Sequence, residues 1–134
     1  MFSFPPALRW FIFAAYLSAI VFASLTPPSG MPRFIAIPNI DKVIHFTMYF
    51  GFCLIGVWVL DKRVYSNHKD EALHQKWIYP FILSMAISWG VVMEIFQRVM
   101  AVGRHYSVYD LVANILGAIT ATGIYYYYVG RRTK

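Results

Sequence analysis

A chain of 134 residues that is 59% hydrophobic and only 13% charged differs from a typical soluble domain, in which about 25% of residues are charged. The mean hydropathy of +0.53 also indicates a membrane protein. The net charge of +6 does not predict nucleic-acid binding, because the basic residues form no stripe and lie in the connections between apolar runs. The length suits one domain, residues 1–134.

Four apolar runs dominate the sequence, at residues 7–25, 43–60, 77–96 and 108–129. Each is close to the roughly 20 residues that a helix needs to cross the hydrocarbon core, and backbone groups in lipid must be satisfied internally. We therefore predict an all-α integral membrane bundle of four transmembrane helices. The first run also resembles a signal peptide, with Arg9 before the apolar stretch and a cleavage site after Ala23. That alternative leaves three spans.

The positions of lysine and arginine predict the orientation of the bundle. Eight lie at the termini or in the second connection, and four lie in or beside the first and third connections. The positive-inside rule then places both termini and the second connection in the cytoplasm. On this interpretation Asp61 begins a solvated cytoplasmic loop, and Tyr125 to Tyr128 form an aromatic belt at the cytoplasmic interface.

Ionisable and amide side chains gather at the outward ends of the second, third and fourth spans. An antiparallel bundle brings these ends to one depth, and residues three or four apart share a helix face. Charged groups inside a bilayer usually face the bundle interior and pair there. The candidate polar site comprises Asp41, Lys42, His45, Glu94, Gln97, Arg104, Ser107, Asp110 and Asn114.

Each candidate also has a purely structural interpretation. Asp41 and Ser107 are favoured N-cap residues for the second and fourth helices, and Asp110 would complete a box-like helix start. The other structural roles are an ion pair of Glu94 with Arg104 or Lys42, and a neutral His45 that donates to a carbonyl group.

Small residues and the lone cysteine predict packing rather than chemistry. Cys53 has no partner for an internal disulfide and no metal-ligand spacing, so we expect a small buried hydrophobe. Small residues let membrane helices approach closely. Ala113, Gly117 and Ala121 recur at four-residue spacing in the fourth span, and Gly51 and Gly56 in the second span and Ser84 and Ser88 in the third have the same predicted role.

The segments "DKVIHFTMYFGF", "EIFQ" and "GRHYSVYDLVANILGA" occur in this order, and together they resemble the VanZ-like membrane protein family. The shared features are an Asp-Lys-x-x-His start, a Glu-x-x-Gln on the next helix and an Arg-x-x-Ser-x-x-Asp-x-x-x-Asn-x-x-Gly segment. "SLTPPS" after the first run also fits, so the resemblance extends from about Leu25 to Gly117. It implies a small multi-pass protein of the bacterial cytoplasmic membrane. The founding member is associated with low-level teicoplanin resistance, and the family has no securely assigned catalytic mechanism.

Three functions remain open. In the first, the outward site binds a headgroup, such as that of a lipid-linked cell-wall precursor, or alters access of a glycopeptide. Lys42 and Arg104 would then hold a phosphate or carboxylate, oriented by Asp41, Glu94 and Asp110.

In the second, the protein is an enzyme acting on a lipid or glycan headgroup. His45 would be a general base oriented by Asp41 or Asp110, Lys42 and Arg104 would stabilise negative charge, and Asn114 and Gln97 would fix the substrate. Ser107 lies in no activating motif, so a nucleophile is missing.

In the third, the polar residues form a buried ionic network that sets helix register without a ligand. Ligation of a metal by Asp41, His45, Glu94 and Asp110 matches no known signature, so we expect no metal and no cofactor. The expected partner is membrane lipid.

Overall fold

The computed structural model describes residues 4–26, 39–61, 72–100 and 107–130. Within these ranges the chain forms α1 (Pro6–Leu25), α2 (Ile40–Leu60), α3 (Ala72–Val99) and α4 (Val108–Tyr125), followed by a π-helical segment, Tyr126–Gly130. No strand occurs in these ranges. All four α-helices contain a stretch long and apolar enough to cross a membrane. The prediction of an all-α bundle with four membrane spans is confirmed.

Two helices begin three or more residues earlier than their apolar runs. The N-cap of α2 is Asn39, in a left-handed conformation with φ of 63°, so the prediction that Asp41 caps this helix is wrong. Asp41 and Lys42 lie instead in its first turn. Helix α3 begins at Ala72 and continues through Pro80. Its first residues, "ALHQK", include good helix formers. The segment is too polar to belong to the apolar run from which the span was predicted.

The interior of the bundle is built around α2, which packs against the other three helices. Phe13 and Ile20 of α1 are buried against Phe52 of α2 and its neighbours. The Tyr16 hydroxyl donates to the Met48 carbonyl oxygen, 3.0 Å away. These contacts make α1 an integral part of the bundle.

Glycines allow the close approach of helices that the sequence predicts. A methyl group on Gly117 of α4 would collide with the Phe46 carbonyl oxygen of α2, and one on Gly51 would collide with the Tyr16 hydroxyl. The packing prediction is wrong for Ser84 and Ser88, which are both exposed. The Ser84 hydroxyl donates to the Pro80 carbonyl oxygen of its own helix, 2.7 Å away, so it needs no partner helix.

The antiparallel order gives the bundle two distinct ends. At the Asn39 end, named for the N-cap of α2, α2 and α4 begin and α1 and α3 finish. At the Asp61 end, named for the C-cap of α2, α1 begins and α2 and α4 finish. Polar side chains are buried at both ends, but with different partners.

Candidate functional site

Four polar side chains from three helices meet near the Asn39 end. His45 comes from α2, Glu94 from α3, and Asp110 and Asn114 from α4; we call them the polar cluster. One ligand atom each from His45, Glu94 and Asp110 lies within 4.8 Å of the other two. His45, Glu94 and Asn114 are buried, and the side chain of Asp110 is 13% exposed. The cluster therefore lies inside the bundle and approaches solvent at Asp110.

His45 is oriented by an amide on the neighbouring helix. Its Nδ1 lies 3.0 Å from Oδ1 of Asn114. An amide oxygen only accepts hydrogen bonds, so Nδ1 carries the proton in this contact. The other ring nitrogen, Nε2, lies 3.8 Å from Oδ2 of Asp110. The imidazole is thus held with its second nitrogen directed toward a carboxylate, an arrangement that suits proton transfer, ion pairing or metal binding.

Lys42 stands at the edge of the cluster. Its Nζ lies 2.9 Å from Oδ2 of Asp41 and 3.7 Å from Oδ1 of Asp110. One third of the Lys42 side chain is exposed, as is 42% of that of Asp41. Exposed ion pairs contribute little to stability. Lys42 is therefore a cation that an incoming anion can reach without unfolding the bundle.

The remaining candidates lie elsewhere or outside the described residues. Gln97 is buried and donates from Nε2 to the Ser24 carbonyl oxygen, 2.9 Å away, so it ties the end of α1 to α3. Ser107 occupies the N-cap position of α4, as predicted, but its side chain makes no capping hydrogen bond. Its carbonyl oxygen accepts from the backbone of Asp110. Arg104 falls outside the described ranges.

We predicted that Asp110 completes a capping box, but its side chain contacts another helix. Asp110 lies in the first turn of α4, where a carboxylate also interacts favourably with the helix dipole. Its side chain is directed to Lys42 and His45 on α2. Asp110 thus connects α4 to α2 and joins the half-exposed cation to the buried histidine.

The sequence matches the VanZ/LLP1 family over residues 6–129. The chain belongs to the VanZ/LLP1 family. With its four membrane-crossing helices, it is a multi-pass membrane protein of that family. Comparison with curated proteins and with solved structures finds no significant match. The residues that carried the resemblance to VanZ-like proteins include all four members of the polar cluster.

Tyr49 is a neighbour of the cluster that the sequence reasoning missed. It is 1% exposed, and its hydroxyl is buried. Within the described ranges that hydroxyl has no hydrogen-bond partner. Gly90 makes room here, since a methyl group on it would come within 3.3 Å of both the Tyr49 ring and the Asn114 amide. The spacing in the sequence could have identified it, because Tyr49 follows His45 by four residues and therefore lies on the same helix face.

The Asp61 end of this VanZ/LLP1 protein corrects a second expectation. Asp61 is only 1% exposed, so its assignment to a solvated loop is wrong. Its Oδ2 accepts a hydrogen bond from the Tyr125 hydroxyl, 3.0 Å away. Tyr126, Tyr127 and Tyr128 are exposed. A partner on α4 thus offsets the cost of burying the Asp61 carboxylate.

Arg9, counted as an orientation signal, is fully buried at the same end. Its guanidinium lies over the Trp58 ring, 4.6 Å from the ring centroid, and Nη1 donates to the Trp58 carbonyl oxygen. Nε donates to the carbonyl oxygen of Phe4. Arg9 therefore fastens α1 to α2, a role that its position in the sequence did not predict.

Proposed function

We propose that this VanZ/LLP1 protein binds the anionic headgroup of an envelope lipid at the Asn39 end. The single observation that carries the proposal is the convergence of His45, Glu94, Asp110 and Asn114 from three helices, with Lys42 exposed at the edge. Polar side chains inside a membrane bundle are costly, and they usually mark a site for a ligand, ion or proton. Lys42 supplies the charge that attracts a phosphate or carboxylate.

The distribution of basic residues supports a position of this site on the outer side of the bacterial cytoplasmic membrane. Lipid-linked cell-wall precursors present their phosphates and sugars there. Such a ligand would hold its headgroup near Lys42 and leave its chain in the surrounding hydrocarbon. Binding a precursor at this position also offers a route by which a family member changes teicoplanin susceptibility, since it would alter how much precursor the glycopeptide reaches.

Lipid binding to the purified protein tests the proposal. Native mass spectrometry and thermal unfolding in detergent would compare a polyprenyl phosphate, phosphatidylglycerol and zwitterionic phosphatidylcholine. We expect the two anionic lipids to be retained and to raise the unfolding temperature. Lys42→Gln should lower the affinity for the anionic lipids at least tenfold. The matched control is Arg98→Gln, which removes an exposed cation at the end of α3. Equal loss in both variants, or equal binding of phosphatidylcholine, would refute a specific headgroup site.

The orientation of His45 favours a second candidate, an enzyme acting on the same headgroup. Oδ1 of Asn114 accepts from Nδ1, so Nε2 of the neutral imidazole, beside Asp110, would serve as a general base. A buried base of this kind would activate water for attack on a phosphate ester. Phosphate release from a polyprenyl diphosphate, abolished in His45→Gln, would favour the enzyme; stoichiometric binding without turnover would favour the binding protein.

A further inference from the structure

We propose that the polar cluster binds one divalent cation, with ligands from Nε2 of His45 and one carboxylate oxygen each of Glu94 and Asp110. These three atoms lie within 4.8 Å of one another. They come from α2, α3 and α4, so a bound ion would join three helices. The inference stands whether or not the site takes a lipid headgroup.

The hydrogen bond of His45 has the geometry expected of a metal ligand. Metals bind neutral imidazole, and a metal-bound histidine almost always donates its other N–H to a carbonyl or carboxylate oxygen. Here Nδ1 donates to Oδ1 of Asn114 at 3.0 Å. In the neutral imidazole, Nε2 then carries the lone pair, and it lies 3.8 Å from Oδ2 of Asp110. Asn114 is in this sense a positioning residue, because it fixes the tautomer without touching the ion.

The carboxylates in this region also suit a divalent cation. Lys42 lies 2.9 Å from Asp41 and 3.7 Å from Asp110, at the edge of the cluster. Glu94 and Asp110 bring two carboxylates close to His45. Carboxylates inside a membrane bundle are costly to bury, and coordination of a cation reduces that cost.

The donor set indicates the class of ion. Magnesium and calcium prefer sites made only of oxygen ligands, whereas one imidazole with two carboxylates suits manganese or zinc. Tyr49 adds a second polar group at the site. Its hydroxyl is buried and has no hydrogen-bond partner within the described ranges, and Gly90 borders both its ring and the Asn114 amide. A water bound to the ion would give this hydroxyl a partner.

The experiment uses untagged protein in detergent, stripped with EDTA and titrated with Mn²⁺. Electron paramagnetic resonance of free Mn²⁺ would give the stoichiometry and affinity. We expect one ion per chain, and electron spin-echo modulation from a single histidine nitrogen in the unmutated protein. Glu94→Gln and Asp110→Asn should each weaken affinity at least tenfold, and His45→Gln should remove the nitrogen signal. Asn114→Leu should weaken affinity by about 10–100-fold, as expected for an outer-shell partner.

Asp61→Asn is the matched control, since it neutralises a buried carboxylate at the opposite end while leaving an oxygen for Tyr125. Its Mn²⁺ affinity should stay within threefold of that of the unmutated protein. Three results would overturn the inference. These are no saturable binding at millimolar Mn²⁺ or Zn²⁺, binding that survives all three ligand substitutions, and binding that appears only in Arg104→Gln. The last would show that the Arg104 guanidinium takes the place of the cation.

Discussion

Nδ1 of His45 lies 3.0 Å from Oδ1 of Asn114, and this hydrogen bond joins α2 to α4 where both residues are more than nine-tenths buried. The same pair of helices also comes close one turn further along α4, where Gly117 packs on the Phe46 carbonyl. Polar and steric contacts therefore fix the same interface. A shift of α4 along α2 would break both contacts together.

The first prediction concerns the hydrogen bond itself. Asn114→Leu should destabilise the bundle, because the Nδ1 proton of His45 loses its acceptor. Hydrogen bonds between membrane helices contribute about 0.6 kcal/mol on average and about 1.7 kcal/mol at most, so we expect a loss in that range. Unfolding by SDS titration would measure it. A double-mutant cycle with His45→Leu provides the control, and a coupling energy near zero would contradict the proposed pairing.

The second prediction uses two glycines of α4 as a matched pair. Gly117→Ala should destabilise the protein by about 1–3 kcal/mol, the usual cost of overpacking, because the new methyl group would collide with the Phe46 carbonyl oxygen. Gly123→Ala has no atom within 4 Å of the added carbon and should be neutral or slightly stabilising. SDS titration of both variants would show the difference. Equal stability of the two would exclude close contact between α2 and α4.

Much of the fold could be predicted because hydropathy carries the signal. Each apolar run has the length of a membrane span, and the four spans appear as α1 to α4. The start of α3 could not be found in this way, since residues 72–76 are helical but polar. A polar helix end and a polar loop have the same hydropathy. Asp41 shows a related limit. Aspartate is favoured both at the N-cap and in the first turn of a helix, so the sequence does not distinguish the two positions.

The cluster near the Asn39 end could also be anticipated. Helical spacing and antiparallel order are both readable from sequence, and they place His45, Glu94 and Asn114 at one depth. The opposite end could not be anticipated. Arg9 and Asp61 flank apolar runs, and a charge in that position either extends to water or folds back onto another helix. Only the tertiary neighbours, here Trp58 and Tyr125, decide between these outcomes.

The third prediction tests the structural role of Arg9. Arg9→Lys keeps the charge, and hence the orientation signal, but loses the planar contact with Trp58 and the geometry of the two carbonyl hydrogen bonds. Hydrogen bonds to charged groups contribute about 1.5–3 kcal/mol each, so we expect a loss of at least about 1.5 kcal/mol. Arg98→Lys, at an exposed position, should change stability by less than about 0.5 kcal/mol. Similar losses of stability in Arg9→Lys and Arg98→Lys would contradict a structural role for Arg9.

The fourth prediction concerns orientation. The buried Arg9 was one of the eight basic residues assigned to the cytoplasmic side, and leaving it out gives seven against four, so the predicted direction is unchanged. In a Cys53→Ala background, single cysteines at positions 39 and 134 would be labelled in intact cells with an impermeant maleimide. Position 39 should react and position 134 should react only after lysis. The reverse pattern would place the polar cluster on the cytoplasmic side and refute an outward site.

The fifth prediction separates a ligand site from a structural ion pair. If Arg104 holds an anionic headgroup with Lys42, Arg104→Ala should abolish lipid binding. Stability without ligand should then change by less than about 0.5 kcal/mol, or rise slightly, because a neighbouring positive charge is removed. Thermal unfolding in detergent, with and without a polyprenyl phosphate, gives both quantities. Arg98→Ala serves as the control and should bind lipid normally.

The opposite outcome has an equally clear physical basis. If Arg104 instead forms a structural pair with Glu94, its removal leaves a carboxylate that is only 2% exposed without that compensating charge. Breaking a buried ion pair in this way costs about 3–5 kcal/mol, and Glu94→Gln should then restore most of the loss because it removes the stranded charge. The headgroup proposal predicts no such rescue. A large loss in Arg104→Ala that Glu94→Gln restores would therefore establish a structural ionic network and exclude Arg104 as a ligand-binding residue.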